Sequence, residues 1–313
     1  MNISVVIPVY NSEGILPELV GRLKAVLDKC ALEYEVILIN DSSRDRSWEV
    51  ISGLAAMNPF VRGINLMRNY GQHNALLCGI RAASYEIIVT MDDDLQHPPE
   101  EIPKLMEKLS EGYDVVYGTP QKEEHGVFRD LASQITKMAL QSAMGVAVAR
   151  NVSAFRVFRT QVRDAFVNYQ CPFVSIDVLL TWGTTRFASV PVRHDTRRLG
   201  YSNYTFYKLV THALNMMTGF STRPLQMASI IGFAFTIFGV GVLAYVIGVY
   251  LFHGRSVPGF YFLASIIAIF SGAQLFGLGI IGEYLARMHF RTMGRPPSVI
   301  RNSIGSGFDS KDK

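Results

Sequence analysis

Along the first 118 residues, short β-branched apolar runs alternate with stretches whose apolar positions recur at helical spacing. Residues 3–9, 35–40, 61–67, 86–91 and 114–118 read as strands because Val, Ile and Leu dominate them without a helical period. Between the first two, Ile15, Leu16, Leu19, Leu23, Val26 and Leu27 mark one face of a helix. Strands alternating with amphipathic helices predict an α/β fold whose mostly parallel sheet is flanked by helices. Ligands then bind at the carboxyl ends of the strands. Residues just after each strand are therefore the ones to read for chemistry.

The pattern changes near residue 224. Residues 225–252 form 28 positions without a charge, and residues 256–282 form another 27. Each run exceeds the roughly 20 residues that carry a helix across a bilayer core, and buried helices of that length usually carry some charge. Two transmembrane helices are expected, about 225–252 and 258–283, joined by the short turn around His253-Gly254-Arg255. Such a hairpin puts both flanks on one side. The flanks are basic, with Arg186, Arg193, Arg197, Arg198, Lys208 and Arg223 before it and Arg287, Arg291, Arg295 and Arg301 after it. The excess of positive charge places these flanks in the cytoplasm.

The expected organisation is a cytoplasmic domain over 1–203, an interfacial amphipathic segment over 204–224, the hairpin over 225–286 and a basic cytoplasmic tail over 287–313. The localisation that follows is a multi-pass protein of the inner, cytoplasmic membrane with both termini inside. Residues 130–145 have an apolar face too, and packing on the domain and lying in the membrane interface fit that pattern equally well. Glycines 232, 239, 241 and 248, and 272, 277, 279 and 282, permit close helix approach within the hairpin or between subunits, so a homo-oligomer is compatible with the pattern.

Composition narrows the functional classes. A net charge of +4, with no long basic run, gives no footprint for nucleic acid. Cys30, Cys78 and Cys171 are odd in number and unclustered, which argues against both a disulfide framework and a zinc site. The N-terminal run is too short and too β-branched for a signal peptide.

The first predicted strand is followed by Pro8-Val9-Tyr10-Asn11-Ser12-Glu13-Gly14, which lacks the glycine pattern of a dinucleotide site; no Walker A sequence occurs anywhere. After the second strand, Asp41 can accept hydrogen bonds from a nucleobase or ribose, while Ser43 or Asp45 reads equally well as a helix cap. After the fourth come Asp92, Asp93 and Asp94. Strand alternation turns Asp92 and Asp94 to one side and Asp93 to the other. A pair of converging carboxylates suits Mg²⁺ or Mn²⁺, with Gln96 offering a neutral oxygen and coordination positions left for phosphate. On this reading Asp93 tolerates Ala.

In order and spacing, "VVIPVYNSE", "ILINDSSRD", "LMRNYGQHNALLCGI" and "MDDDLQHPPEEIPKL" resemble the signature of the inverting family 2 glycosyltransferases with a GT-A fold. Within them the chain is similar to the polyprenyl-phosphate glycosyltransferases, and the resemblance returns at "TRRLGYSNY" and the hairpin. It implies that Pro8, Tyr10, Glu13 and Asp41 hold the base and ribose of a nucleotide sugar, usually UDP or GDP, with Arg68 near the nucleotide. It implies that Asp92, Asp94 and Gln96 bind the cation on the diphosphate, that Arg197 and Ser202 approach the diphosphate and acceptor phosphate, and that the membrane spans present the polyprenyl chain. Asp94 and Arg197 would then be catalytic.

Three positions depart from the family pattern. Asn40 replaces the first of two aspartates, Asn203 replaces a lysine, and residues 149–159 lack the usual acid. The last absence is compatible with catalysis, because a phosphate acceptor with a second pKa of about 6 arrives largely ionised. Asp177, the nearest later acid, reads at least as well as a buried structural residue. Two alternatives differ in class. A processive polysaccharide synthase calls for a Q-x-x-R-W element and more spans, neither of which is present; an inactive membrane scaffold is argued against by the intact D-x-D pattern.

Overall fold

The computed structural model describes residues 1–120, 152–195, 223–253 and 259–305. Strand β1 (Ile3–Val9) is buried along its whole length, as a central strand covered on both faces must be. It pairs in parallel with β2 (Tyr34–Asn40) on one side and β4 (Ile87–Thr90) on the other. β3 (Val61–Leu66) adds in parallel to β2. β5 (Val115–Pro120) and β7 (Phe187–Val192) are parallel to each other and join the rest through β6 (Arg156–Arg159), which runs antiparallel to both β4 and β5. With β8 (Ile300–Ile304) antiparallel to β3, the order is β7-β5-β6-β4-β1-β2-β3-β8.

Successive side chains serve opposite layers. Ile3, Val5, Ile7 and Val9 of β1 pack with Val36 and Leu38 against α1 (Leu16–Cys30), α2 (Ser47–Met57) and α4 (Ile102–Ser110). Val6, Ile37 and Ile39 face the other way, toward α3 (Gln72–Ala82) and α5 (Ile176–Gly183). Gly79 lets α3 lie flush on this layer, since a Cβ there would stand 2.5 Å from both Ile39 Cδ1 and Val6 Cγ1. At the β5–β6 end of the sheet, the buried Arg156 guanidinium pairs with Asp177, which also accepts from Tyr117 at 3.3 Å. This is the structural role expected of Asp177.

The chain divides into two compact units, Met1–Ala213 with Gly294–Lys313, and Leu214–Met293. The second contains α6 (Arg223–His253) and α7 (Phe260–Thr292). Their apolar stretches, Leu225–Val249 at mean hydropathy 2.4 and Ile269–Thr292 at 1.3, are long enough to cross a bilayer. Within this unit the Phe270 ring lies 5.5 Å from that of Phe235 and 6.4 Å from that of Phe238, opposite Gly239.

The expected tail over 287–313 is corrected. α7 continues to Thr292, and residues 300–304 return to the sheet as a strand. An exposed polar strand of five residues carries too weak an alternation to be recognised alone. Residues 130–145 and most of 204–224 lie outside the described residues.

Candidate active site

Loops after the first four strands meet as the fold class predicts. Pro8, Val9 and Tyr10 from β1, Asp41 from β2, Asn69, Gly71 and Gln72 from the β3–α3 connection, and Asp92 and Asp93 after β4 line a cavity of about 270 Å³. Pro8, Tyr10, Asp41 and Asp92 are thus brought together at one cavity.

Asp41 is 3% exposed, and its two carboxylate oxygens accept the backbone N–H groups of Tyr70 at 2.7 Å and Gly71 at 2.8 Å. Burial raises its pKa, partly offset by those two donors. Gly71 adopts φ +92°, which a side chain would resist. The carboxylate therefore shapes a wall of the cavity as well as facing it. Four residues on, Asp45 braces the start of α2 without being its N-cap residue, which is Arg46: Oδ1 accepts from Ser47 N at 3.0 Å, and Oδ2 accepts from Glu13 N at 3.1 Å.

Glu13 is not at the cavity. Its Oε2 accepts the Arg46 N–H at 2.8 Å and lies 3.6 Å from the Arg46 guanidinium, in a separate depression with Gly14 and Glu49. It joins the loops after β1 and β2 together. Arg68 is exposed beside the cavity, its guanidinium 4.5 Å from the Tyr70 ring centroid. Arg197 and Ser202 lie outside the described residues.

The aspartates are arranged differently from strand alternation. β4 ends at Thr90, and the chain then turns, with Leu95 at φ +59°; a period of two has no force beyond the strand. Asp92 and Asp93 both line the cavity, whereas Asp94 is 7% exposed and outside its lining. Asp92 Oδ1 accepts from Gln72 Nε2 at 2.5 Å. Asp93 Oδ2 accepts from Ser12 Oγ at 2.5 Å and from Tyr10 N at 3.2 Å, clamping the β1 loop. Asp94 Oδ1 accepts the Gln96 N–H at 3.1 Å. Burial raises the Asp93 pKa, the Ser12 and Tyr10 donors lower it, and the charge of Asp94 raises it further.

Among the described residues no three His, Cys, Asp or Glu side chains converge as a metal-ligand set. Adjacent carboxylates that repel one another beside an open cavity do fit a hard cation that takes its remaining ligands from phosphate oxygens. Of the three residues expected to hold such a cation, Asp92 lines the cavity, whereas Asp94 and Gln96 do not.

Sequence reading passed over His97. Its ring is 8% exposed and packs 5.5 Å from Phe155 and 4.9 Å from His194. Nε2 lies 3.4 Å from Ser153 Oγ, and Nδ1 has no hydrogen-bond partner among the described residues. Asp195 N donates to the Gln96 carbonyl at 2.9 Å. The turn after Asp94 is thereby held to the approach to β6 and to the end of β7. Burial, and then the nearby His194, push the His97 pKa down to about 4. Asn69, Gly71 and Gln72 were also missed as cavity residues, although a glycine just before a helical run was a legible signal.

Residues 4–167 match the family described as Glycosyl transferase family 2. The chain is 34% identical over 309 residues to the undecaprenyl-phosphate 4-deoxy-4-formamido-L-arabinose transferase of Pectobacterium atrosepticum, covering 97% of this chain and 94% of that protein. It is 37% identical over 305 residues to the protein of the same name from Shewanella sediminis, covering 96% and 92%. Among solved structures, glucosyl-3-phosphoglycerate synthase from Mycobacterium tuberculosis, in complex with Mn²⁺, UDP-glucose and phosphoglyceric acid, aligns at TM-score 0.52 and 20% identity, over 69% of this chain and 77% of that one. At that identity the likeness speaks to the GT-A type of fold alone.

Proposed function

Because the chain belongs to glycosyl transferase family 2, we propose that it transfers a sugar from a nucleoside-diphosphate donor, a UDP-sugar, to an undecaprenyl-type polyprenyl phosphate at the cytoplasmic membrane face. The observation that carries this reading is one chain combining a carboxylate-lined cavity at the strand ends with two apolar helices of bilayer length. Soluble acceptors need no such helices. The names of the relatives that match nearly end to end support the acceptor, and the UDP-glucose and Mn²⁺ of the solved synthase support the donor and the cation.

Pro8, Tyr10 and Asp41 form the base and ribose side of the cavity, with Arg68 beside the nucleotide. Asp41 acts twice, facing the donor and holding the Tyr70–Gly71 backbone against it. Asp93 keeps the β1 loop closed on the cavity through Ser12 and Tyr10. Asp92 and Asp94, with Gln96, would hold Mg²⁺ or Mn²⁺, and the ion would supply neutralisation of the charge gathering on the leaving diphosphate. Arg197 and Ser202 bind the phosphates from the chain after β7. An acceptor phosphate oxygen attacks the anomeric carbon in line, the bond to the diphosphate breaks and the configuration inverts. The acceptor is already ionised near neutral pH, so no side chain has to remove a proton.

In this reading residues 1–203 form the cytoplasmic catalytic domain with β8, residues 204–224 lie along the interface, and α6 and α7 cross the inner membrane. β8 belongs to the same sheet as the strands before the hairpin. That shared sheet and the basic flanks both support a chain that enters and leaves the membrane on one side.

The test is transfer by the purified protein to a short polyprenyl phosphate, with a panel of nucleotide sugars, read by product mass and anomeric configuration. One sugar per lipid, inverted and dependent on a divalent cation, is expected. Several sugars per lipid would point instead to a polymer synthase.

A further inference from the structure

Residues 297–304 reach the sheet only after the chain has passed through both apolar helices, and they bond the backbone just before the cavity loop. β8 sets Ile304 opposite Gly63 and Ile300 opposite Leu66, with a register shift between Asn65 and Leu66. Hydrogen bonding continues past the end of β3. Met67 N–H donates to the Val299 carbonyl at 2.9 Å, and Arg301 Nη2 donates to the Met67 carbonyl at 3.1 Å. Both polar groups of the Met67 backbone are thus engaged by the returning strand.

The docking is shaped on both sides. A Cβ on Gly63 would stand 2.9 Å from Ile304 Cγ1, and one on Gly305 would stand 2.8 Å from the Val61 carbonyl oxygen. Gly305 also holds φ +104°. Pro297 is buried. Met67 is followed directly by residues 68–71, of which Asn69 and Gly71 line the cavity. Asp41 holds that loop at Tyr70 and Gly71, while β8 holds it at Met67.

We infer that the strand after the hairpin is a positioning element for the donor cavity, and that Arg301 is the residue through which it sets the 68–71 loop. This rests on the donor reading above. The backbone leading into the cavity loop is thereby held by chain that follows both apolar helices in sequence.

The test uses the full-length protein in lipid nanodiscs, with Arg301→Ala and Arg301→Lys. Loss of one hydrogen bond raises KM for the nucleotide sugar about fivefold in Arg301→Ala, while kcat stays within about twofold and KM for the lipid acceptor is unchanged. Arg301→Lys recovers most of the donor KM. Hydrogen exchange in peptides spanning 67–72 quickens in Arg301→Ala, while peptides from β1 and β2 match wild type. Unchanged donor KM and exchange overturn the inference, as does a joint fall of kcat, donor affinity and Tm, which would mark a merely structural arginine. Calorimetry with UDP and Mn²⁺ separates the two levels of argument. No binding by wild type overturns the donor reading and this inference with it, whereas equal binding by wild type and Arg301→Ala overturns the inference alone.

Discussion

Asp93 lines the cavity instead of turning away from it as strand alternation suggests, because a turn replaces the strand beyond Thr90. Asp93→Ala removes the acceptor for Ser12 Oγ and Tyr10 N. Two modest hydrogen bonds then no longer hold the β1 loop, and donor KM is expected to rise about three- to tenfold with metal-dependent turnover retained. Asp94→Ala is expected to lower metal-dependent transfer by a factor on the order of 10² or more, as loss of a group that stabilises developing charge does. Steady-state kinetics over a Mn²⁺ titration checks both variants. Full metal-dependent transfer by Asp94→Ala would remove that residue from the cation site.

His97 makes a pH prediction at the same scale. Its folded pKa of about 4 lies below the unfolded value of 6.5, so between these values the unfolded chain takes up a proton that the native state refuses. Stability is intact above about pH 6.5, falls as pH drops through that value and levels off near pH 4. From pH 7 to 5 this amounts to about 2 kcal/mol. His97→Phe, which keeps a ring against Phe155 and His194, is expected to show a correspondingly smaller drop in Tm over that range. Equal drops in both proteins would show that His97 does not carry this pH dependence.

At the scale of elements, α3 matters because its first turn supplies Gln72 to the cavity while its middle rests on β1 and β2 at Gly79. Gly79→Ala places a methyl within 2.5 Å of Ile39 and Val6 side-chain atoms. Overpacking of this kind costs about 1–3 kcal/mol, and lifting the helix also moves Gln72 away from Asp92. Thermal denaturation together with donor KM is expected to show both effects. Asp177→Ala strands the buried Arg156 guanidinium beside Tyr117, and breaking one partner of such a pair costs about 3–5 kcal/mol. Tm is expected to fall sharply while donor affinity of the folded fraction is kept, since neither residue lines the cavity.

The elements differ in how plainly they could be read. β1 to β5 and α1 were legible because uninterrupted β-branched runs and a helical period are local signals. β6 carries two arginines in four residues and β8 is largely exposed, so both owe their strand state to partners far along the chain. The same division applies to the site. Asp41 and Asp92 were found from their places after strands, whereas His97 and Gln72 acquire meaning only from what the fold sets against them.

For the whole molecule, the two halves answer to different solvents. Neither apolar window of α6 or α7 is buried within the protein, so lipid is their expected partner. Val240→Arg, near the middle of the first window, is expected to oppose insertion by about 3 kcal/mol. Alkaline extraction of membranes then releases a larger share of the variant than of wild type. Equal retention would argue that the helix lies elsewhere than across the bilayer.

The sequence by itself determined the α/β class, the membrane-length helices, the family and the position of the acidic cluster at a strand end. These are set by composition and short-range periodicity, which survive without knowledge of the partners. Tertiary structure alone decided which aspartates line the cavity, that Glu13 serves the loop junction, and that a strand beyond the hairpin pairs with β3 and bonds the Met67 backbone. Each depends on a turn geometry or a pairing between residues up to 234 positions apart, as between Arg301 and Met67, and no local pattern encodes such a contact.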